Sequence, residues 1–235
     1  MNSIMRKFKD KLNNESIRIE WVKRQLHRLP GEAKLLDAGC GGQQYRKFCN
    51  HLNYASQDFA QYTVDETDGF ASGLGGEHGY EYGELDYIGD IWSIDAETGQ
   101  FDAILCTEVF EHIPYPNETV VEFARLTKIG GKLILTLPSN CLRHMDPYFF
   151  YSGFSNRYLE KILTEAGFEI EILEPVGDYY SWLAVEMART MKNHGLLSKL
   201  ALLPALICFI RKPKTALSIN SLCMGYHVVA RRVKI

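Results

Sequence analysis

The stretch LLDAGCGGQQYR, residues 35–46, runs from an apolar strand into a cluster of glycines, with Asp37 just before the turn. Further short buried strands are predicted at 54–57, 101–106 and 132–137, with helical patterns between them. Strands that lack polar alternation are covered on both faces, so the expectation is an α/β fold with a parallel, doubly wound sheet. In such sheets a ligand lies beyond the carboxyl ends of the strands, and the first strand–turn–helix commonly carries it. Gly39, Gly41 and Gly42 let the backbone turn tightly and come close to that ligand. Asp58 follows 21 residues after Asp37, at the end of the second strand, where a carboxylate accepts both hydroxyls of a ribose. A nucleoside-containing ligand is the consequence.

Composition limits the alternatives. The 235 residues are 46% hydrophobic and 12% aromatic, enough for one large core, so a single domain over residues 1–235 is expected. The net charge of −3 supplies no global field for a polyanion, and no nucleic-acid partner is expected. Six scattered cysteines without a C-x-x-C pair or a secretory signal predict reduced thiols in a cytoplasmic setting. The stretch IRIEWVKRQLHRL has apolar residues at helical spacing and stops at Pro30-Gly31, which gives an N-terminal helix over 15–29. Ser155 caps a helix in NRYLEKILTEAGF that ends at Gly167, followed by the strand FEIEILEP and a last strand over 223–233.

A dinucleotide fingerprint would need a third glycine where Gln44 stands. Instead GDIWSI sets Asp90 at the end of a third strand, suited to an adenine amino group, with Ile91 and Trp92 to flank the ring. FDAILCTEVFEHIP then leads strand four into an acidic, histidine-containing turn, and LTKIGGKLILTLPS carries Gly130-Gly131 into strand five. In this order, over roughly residues 29–175, these motifs resemble the class I S-adenosylmethionine-dependent methyltransferases. The resemblance implies a doubly wound, seven-stranded, mostly parallel sheet with an antiparallel last strand. It also implies S-adenosyl-L-methionine as cofactor, with the turn at Gly39 and Gly41 passing its methionine moiety and Asp37 ordering that turn near the ammonium group. Asp58 would then meet the ribose, Asp90 and Ile91 the adenine, and Thr107 would close the cofactor set at the end of strand four.

Methyl transfer to a hydroxyl requires a positioned acceptor that loses its proton. Glu108, Glu111 and His112 stand at i, i+3 and i+4, which on a helical turn puts them on one face. Two carboxylates and an imidazole can hold Mg²⁺ or Mn²⁺. The E-x-x-E-H pattern resembles the metal site of ubiquinone-biosynthesis and small-RNA 2′-O-methyltransferases, and His144 in RHMDPYFFYSGFS resembles the downstream histidine of the latter. A metal-free alternative uses His112 or His144 as general base.

Residues 61–84 replace the usual family helix with a glycine- and tyrosine-rich loop, either a lid or a passive insertion. The segment HMDPYFFYSGFS begins seven residues after Leu137 and should overhang the methyl group; its Tyr148, Tyr151 and Ser152 suit a sugar or a phenolic ring. A second insertion, 178–220, contains GLLSKLALLPALICFIRKPK, too short to span a membrane. It reads as an interfacial helix against anionic headgroups, as a buried helical pair, or as a homodimer contact through 195–213. The expected activity is O-methylation of a saccharide or glycolipid-pathway hydroxyl, in polysaccharide biosynthesis and at the inner face of the membrane if the insertion binds there. Methylation of a phenolic or quinone-like metabolite, or a non-catalytic S-adenosylmethionine-binding subunit, stand as alternatives.

Overall fold

The computed structural model describes residues 14–62, 81–193 and 195–233, with the backbone alone at 192 and 193. Seven strands form one sheet: β1 (Lys34–Ala38), β2 (Asn53–Asp58), β3 (Tyr87–Ile88), β4 (Phe101–Thr107), β5 (Thr127–Pro138), β6 (Phe168–Val176) and β7 (Gly225–Arg232). Their spatial order is β3-β2-β1-β4-β5-β7-β6. β7 runs antiparallel to both neighbours, while the strands from β3 to β5 are mutually parallel. β5 and β6, each antiparallel to β7, therefore end at the same edge as β1, β2 and β4.

The strands alternate between two apolar layers. Leu35, Ala103, Leu105, Ile134 and Val229 pack with Trp21, Val22 and Leu26 of α1 (Asn14–Leu26). Leu36, Ile104, Leu133, Leu135 and Val228 face Phe123 and Leu126 of α2 (Pro116–Leu126) and Leu159 and Leu163 of α3 (Asn156–Glu165). Covering both faces is why the strand sequences are nearly continuous in apolar residues.

Ser155 caps α3 as expected, its Oγ accepting from the Tyr158 N–H, and Gly167 follows at φ +84°. The N-terminal helix closes at Leu26, earlier than the expected 29, because its last turn tightens: the N–H groups of Arg28 and Leu29 donate to the carbonyls of Gln25 and Leu26. Helices between the early strands are fewer than the pattern suggested. Among the described residues the β1–β2 link holds only a 3₁₀ turn, Arg46–Phe48, and the β3–β4 link holds no helix. The first offers only Tyr45 and Cys49 as buried residues around that turn, and the second, GDIWSIDAETGQ, is rich in turn formers. Most of the 61–84 loop lies outside the described residues.

Between β6 and β7 rise α4 (Tyr179–Asn193), α5 (Leu196–Arg211) and α6 (Ala216–Ser221). The buried Asp178 carboxylate anchors them, accepting from the Ser181 N–H and hydroxyl with one oxygen and from the Ser218 hydroxyl with the other. Leu206 and Ile210 of α5 pack on Ala184 of α4, which makes this half of the insertion a buried pair. No helix among the described residues is long and apolar enough to cross a membrane. All six cysteines are free thiols.

Candidate active site

A cavity of about 420 Å³ opens at the carboxyl edge of the sheet, where β1, β2 and β4 end. Its floor is the turn after β1, fastened to β2 by hydrogen bonds. The N–H groups of Gly39 and Cys40 donate to the Gln57 carbonyl at 2.9 and 3.0 Å. Gln57 Oε1 accepts again from Gly39, and its Nε2 donates to the Gly89 carbonyl at 2.6 Å. Gly39 adopts φ +70°, and a Cβ there would lie 2.6 Å from Cγ2 of Val109. Conformation and close approach thus both demand glycine.

Asp58 lines the cavity while its Oδ2 accepts the Gly41 N–H at 2.8 Å and its Oδ1 the Ala60 N–H at 3.0 Å. Burial pushes its carboxyl above the ordinary range, and those N–H groups oppose the shift. Asp90, Ile91 and Trp92 form one wall; Thr107, Glu108 and Val109 form another. Asp37 does not line the cavity. Its buried carboxylate accepts from the Tyr54 hydroxyl at 2.8 Å, and burial, with Asp58 nearby, raises its pKa to about 7. Its place is under the turn, where it meets Tyr54 of β2.

The expected quartet of Glu108, Glu111, His112 and His144 comes together only in part. Ligand atoms of Glu111, His112 and His144 lie within 4.8 Å of one another. Glu108 stands outside this group, because the turn after β4 is not a continuous helix. Its N–H remains bonded to the Thr136 carbonyl, its φ is +52°, and the short helix begins only at Phe110. The Glu108 carboxylate points instead to Arg18 of α1, at 3.2 Å.

The segment after β5 closes over this turn. The N–H groups of Phe150 and Tyr151 donate to the Glu111 carbonyl, and the His112 and His144 rings meet edge to face at 4.6 Å. Nδ1 of His112 lies 2.7 Å from the Tyr148 carbonyl oxygen, and Nδ1 of His144 lies 2.7 Å from that of Leu142. A carbonyl only accepts, so Nδ1 of each ring carries a proton, and Nε2 of His112 lies 3.7 Å from Glu111 Oε1. Burial, then the neighbouring His144, lowers the His112 pKa to about 4. Burial, then Glu108, raises that of Glu111 to about 8, and Glu111 Oε2 is buried without a hydrogen-bond partner. Two imidazoles and one carboxyl that holds its proton near neutrality therefore converge.

Met145, Tyr148 and Phe150 overhang the cavity, with Phe59 edge-on to Tyr148 at 4.8 Å. Sequence reasoning missed Arg18, Gln57 and Phe59. For Arg18 a signal existed: with Trp21, Val22 and Gln25 it occupies i, i+3, i+4 and i+7, a cation on the buried face of α1.

A family model described as a methyltransferase domain matches residues 10–173. A ubiquinone biosynthesis O-methyltransferase of Xanthomonas axonopodis pv. citri (strain 306) is 33% identical over 184 residues, 77% of this chain and 68% of that protein. A protein of the same name from Xanthomonas oryzae pv. oryzae (strain PXO99A) is 35% identical over 123 residues, 51% of this chain, and the match spans 48% of that protein's length. Among solved structures, geranyl diphosphate methyltransferase in complex with SAM superposes with a TM-score of 0.58 at 14% identity, covering 93% of this chain and 86% of that one. Phosphoethanolamine N-methyltransferase 2 of Haemonchus contortus with S-adenosyl-L-methionine gives 0.55 at 13% identity, covering 97% and 56%. At those identities the superpositions speak for the fold.

Proposed function

Since the chain belongs to the methyltransferase-domain family and is an S-adenosylmethionine-dependent methyltransferase, we propose that it methylates a hydroxyl of a small phenolic, quinone-like acceptor with the help of a divalent cation. The observation that carries the acceptor class is the 33% identity, over 77% of the chain, to a ubiquinone biosynthesis O-methyltransferase. The aromatic and thioether side chains over the cavity, Phe59, Met145, Tyr148 and Phe150, favour a flat ring as well. The same similarity favours this acceptor over the saccharide expected from the sequence.

In this reading the glycine turn, Asp58, Asp90, Ile91 and Thr107 hold S-adenosylmethionine, whose sulfonium supplies an activated methyl group. The cavity fits: the turn presents backbone without side chains, and the Asp58 carboxylate faces a space large enough for a nucleoside. Glu111 with Nε2 of His112 and of His144 would hold the cation. The buried Glu111 Oε2 without a partner, beside two imidazoles whose Nδ1 protons are committed to backbone carbonyls, is the feature that suits a cation there. A bound divalent ion lowers the pKa of an acceptor hydroxyl. The chain's own contribution is orientation: the Tyr148 and Leu142 carbonyls fix both tautomers, and Met145 and Phe150 exclude water above the acceptor.

The test is turnover with radiolabelled methyl donor on matched catechol-type and saccharide acceptors. Transfer to the catechol only, abolished by EDTA and restored by Mg²⁺ or Mn²⁺, is the expected result. Saccharide-only transfer would refute the acceptor class, and chelator-insensitive turnover would refute the cation, leaving a histidine base.

A further inference from the structure

The charges of this chain are strongly segregated. All 29 Asp and Glu lie at or before Glu186, whereas residues 187–235 carry nine Lys and Arg and no acid. Such asymmetry within one chain points to an anionic surface as partner. Within that basic part, Leu196 is 71% exposed, Leu197 84%, Leu200 59% and Leu203 43%, a stripe on the first half of α5. Leu217, at the start of α6, is 78% exposed. Five of the twelve large apolar side chains most open to solvent, among the described residues, thus fall within 22 consecutive positions, while the others are scattered.

Pro204, which cannot donate to the Leu200 carbonyl, stands at the change-over: beyond it Leu206 and Ile210 turn onto α4 and are buried. One half of α5 therefore fastens the helix while the other half presents leucines outward. Lys199, Arg211 and Lys214 are exposed around them and have no carboxylate partner among the described residues. The sheet register places this surface. Val176, where the insertion leaves, and Gly225, where it returns, pair with each other, and Gly225 also pairs with Pro138 of β5. The insertion rises from the edge of the sheet that holds the candidate active site.

We propose that the first half of α5, with its basic surroundings, is a docking surface for an anionic phospholipid bilayer, seating Leu196, Leu197, Leu200 and Leu203 in the headgroup boundary and turning the active-site edge toward the membrane. The choice of occupant rests on charge: a second copy seated by the same face would bring its own Lys199, Arg211 and Lys214 against those of this one, and like charges would face each other. Leucines ringed by Lys and Arg are the composition that interfacial helices use. The proposal is independent of the acceptor and of the cation.

The full chain is mixed with vesicles of phosphatidylcholine containing phosphatidylglycerol, with vesicles of phosphatidylcholine alone, and with buffer. The expected result is binding to the anionic vesicles, weakened about tenfold or more in the double variant Leu197→Ser/Leu200→Ser. Each removed charge in Lys199→Gln/Lys214→Gln should weaken it about fivefold. Both variants should bind S-adenosylmethionine as the parent does, since the changed side chains are exposed and lie outside the cavity wall. Absence of vesicle binding by the parent, equal binding to neutral vesicles, or undiminished binding by both variants would each overturn the proposal. So would a concentration-dependent dimer that the leucine variant dissociates in the absence of any vesicle binding.

Discussion

Gly39 shows how narrowly the cavity floor is specified. Its φ of +70° is strained for any other residue, and the missing Cβ is the space that the Val109 side chain fills. These two costs separate by mutation. Gly39→Ala should destabilise the fold by roughly 3 kcal/mol, combining backbone strain with overpacking. In a Val109→Ala background, which removes the methyls at 2.6 and 2.9 Å, only the strain should remain, roughly 1–2 kcal/mol. Urea unfolding of the four proteins measures this, and an equal cost in both backgrounds would contradict the packing argument. Asp37 and Glu108 teach the complementary lesson. Residue type and spacing identified them as site residues, but their side chains turn to Tyr54 and Arg18. Direction depends on one local dihedral, such as the positive φ of Glu108, which spacing along the chain does not encode.

Among the elements, the strands were legible because burial on both faces leaves a continuous apolar signature, and Ser155 because its hydroxyl has a clear capping task. The early connections were not, since a link that folds as a single 3₁₀ turn has the same few apolar residues as a short helix. α1 covers one face of the sheet, yet its Arg18 reaches the turn after β4 and holds Glu108 at the cavity wall. Burial lowers the Arg18 pKa, but Glu108, Tyr45 and Glu15 together raise it, so the guanidinium is a permanent cation there. This is a half-buried pair, and removing one member leaves the other poorly compensated. The structure therefore predicts that Arg18→Met weakens S-adenosylmethionine binding and that Glu108→Gln suppresses much of that loss. A double-mutant cycle should yield a coupling of about 0.5–3 kcal/mol. Strictly additive effects on the calorimetric dissociation constant would show that the pair does not shape the cavity.

For the molecule as a whole, the order β3-β2-β1-β4-β5-β7-β6 brings the ends of β1, β2 and β4, the acidic turn and the β6–β7 insertion to one edge. The fold class could be read from sequence, and the glycine turn, Asp58 and Asp90, which the sequence assigns to the cofactor, occur in an order that the topology brings to one cavity. The place of the 144–150 segment above the cavity was expected too, but its seam with Glu111 could not be read, because the Phe150 and Tyr151 N–H groups meet the Glu111 carbonyl in a tertiary contact without a local pattern. The central claim is that this cavity binds S-adenosylmethionine through Asp58, and titration calorimetry of the parent and of Asp58→Ala tests it most directly. The parent should bind S-adenosylmethionine with one-to-one stoichiometry. The variant, folded by circular dichroism, should bind it about ten- to hundredfold more weakly, since each hydrogen bond to a charged group contributes about 1.5–3 kcal/mol. No binding by the parent, or equal affinity in the variant, would contradict the account.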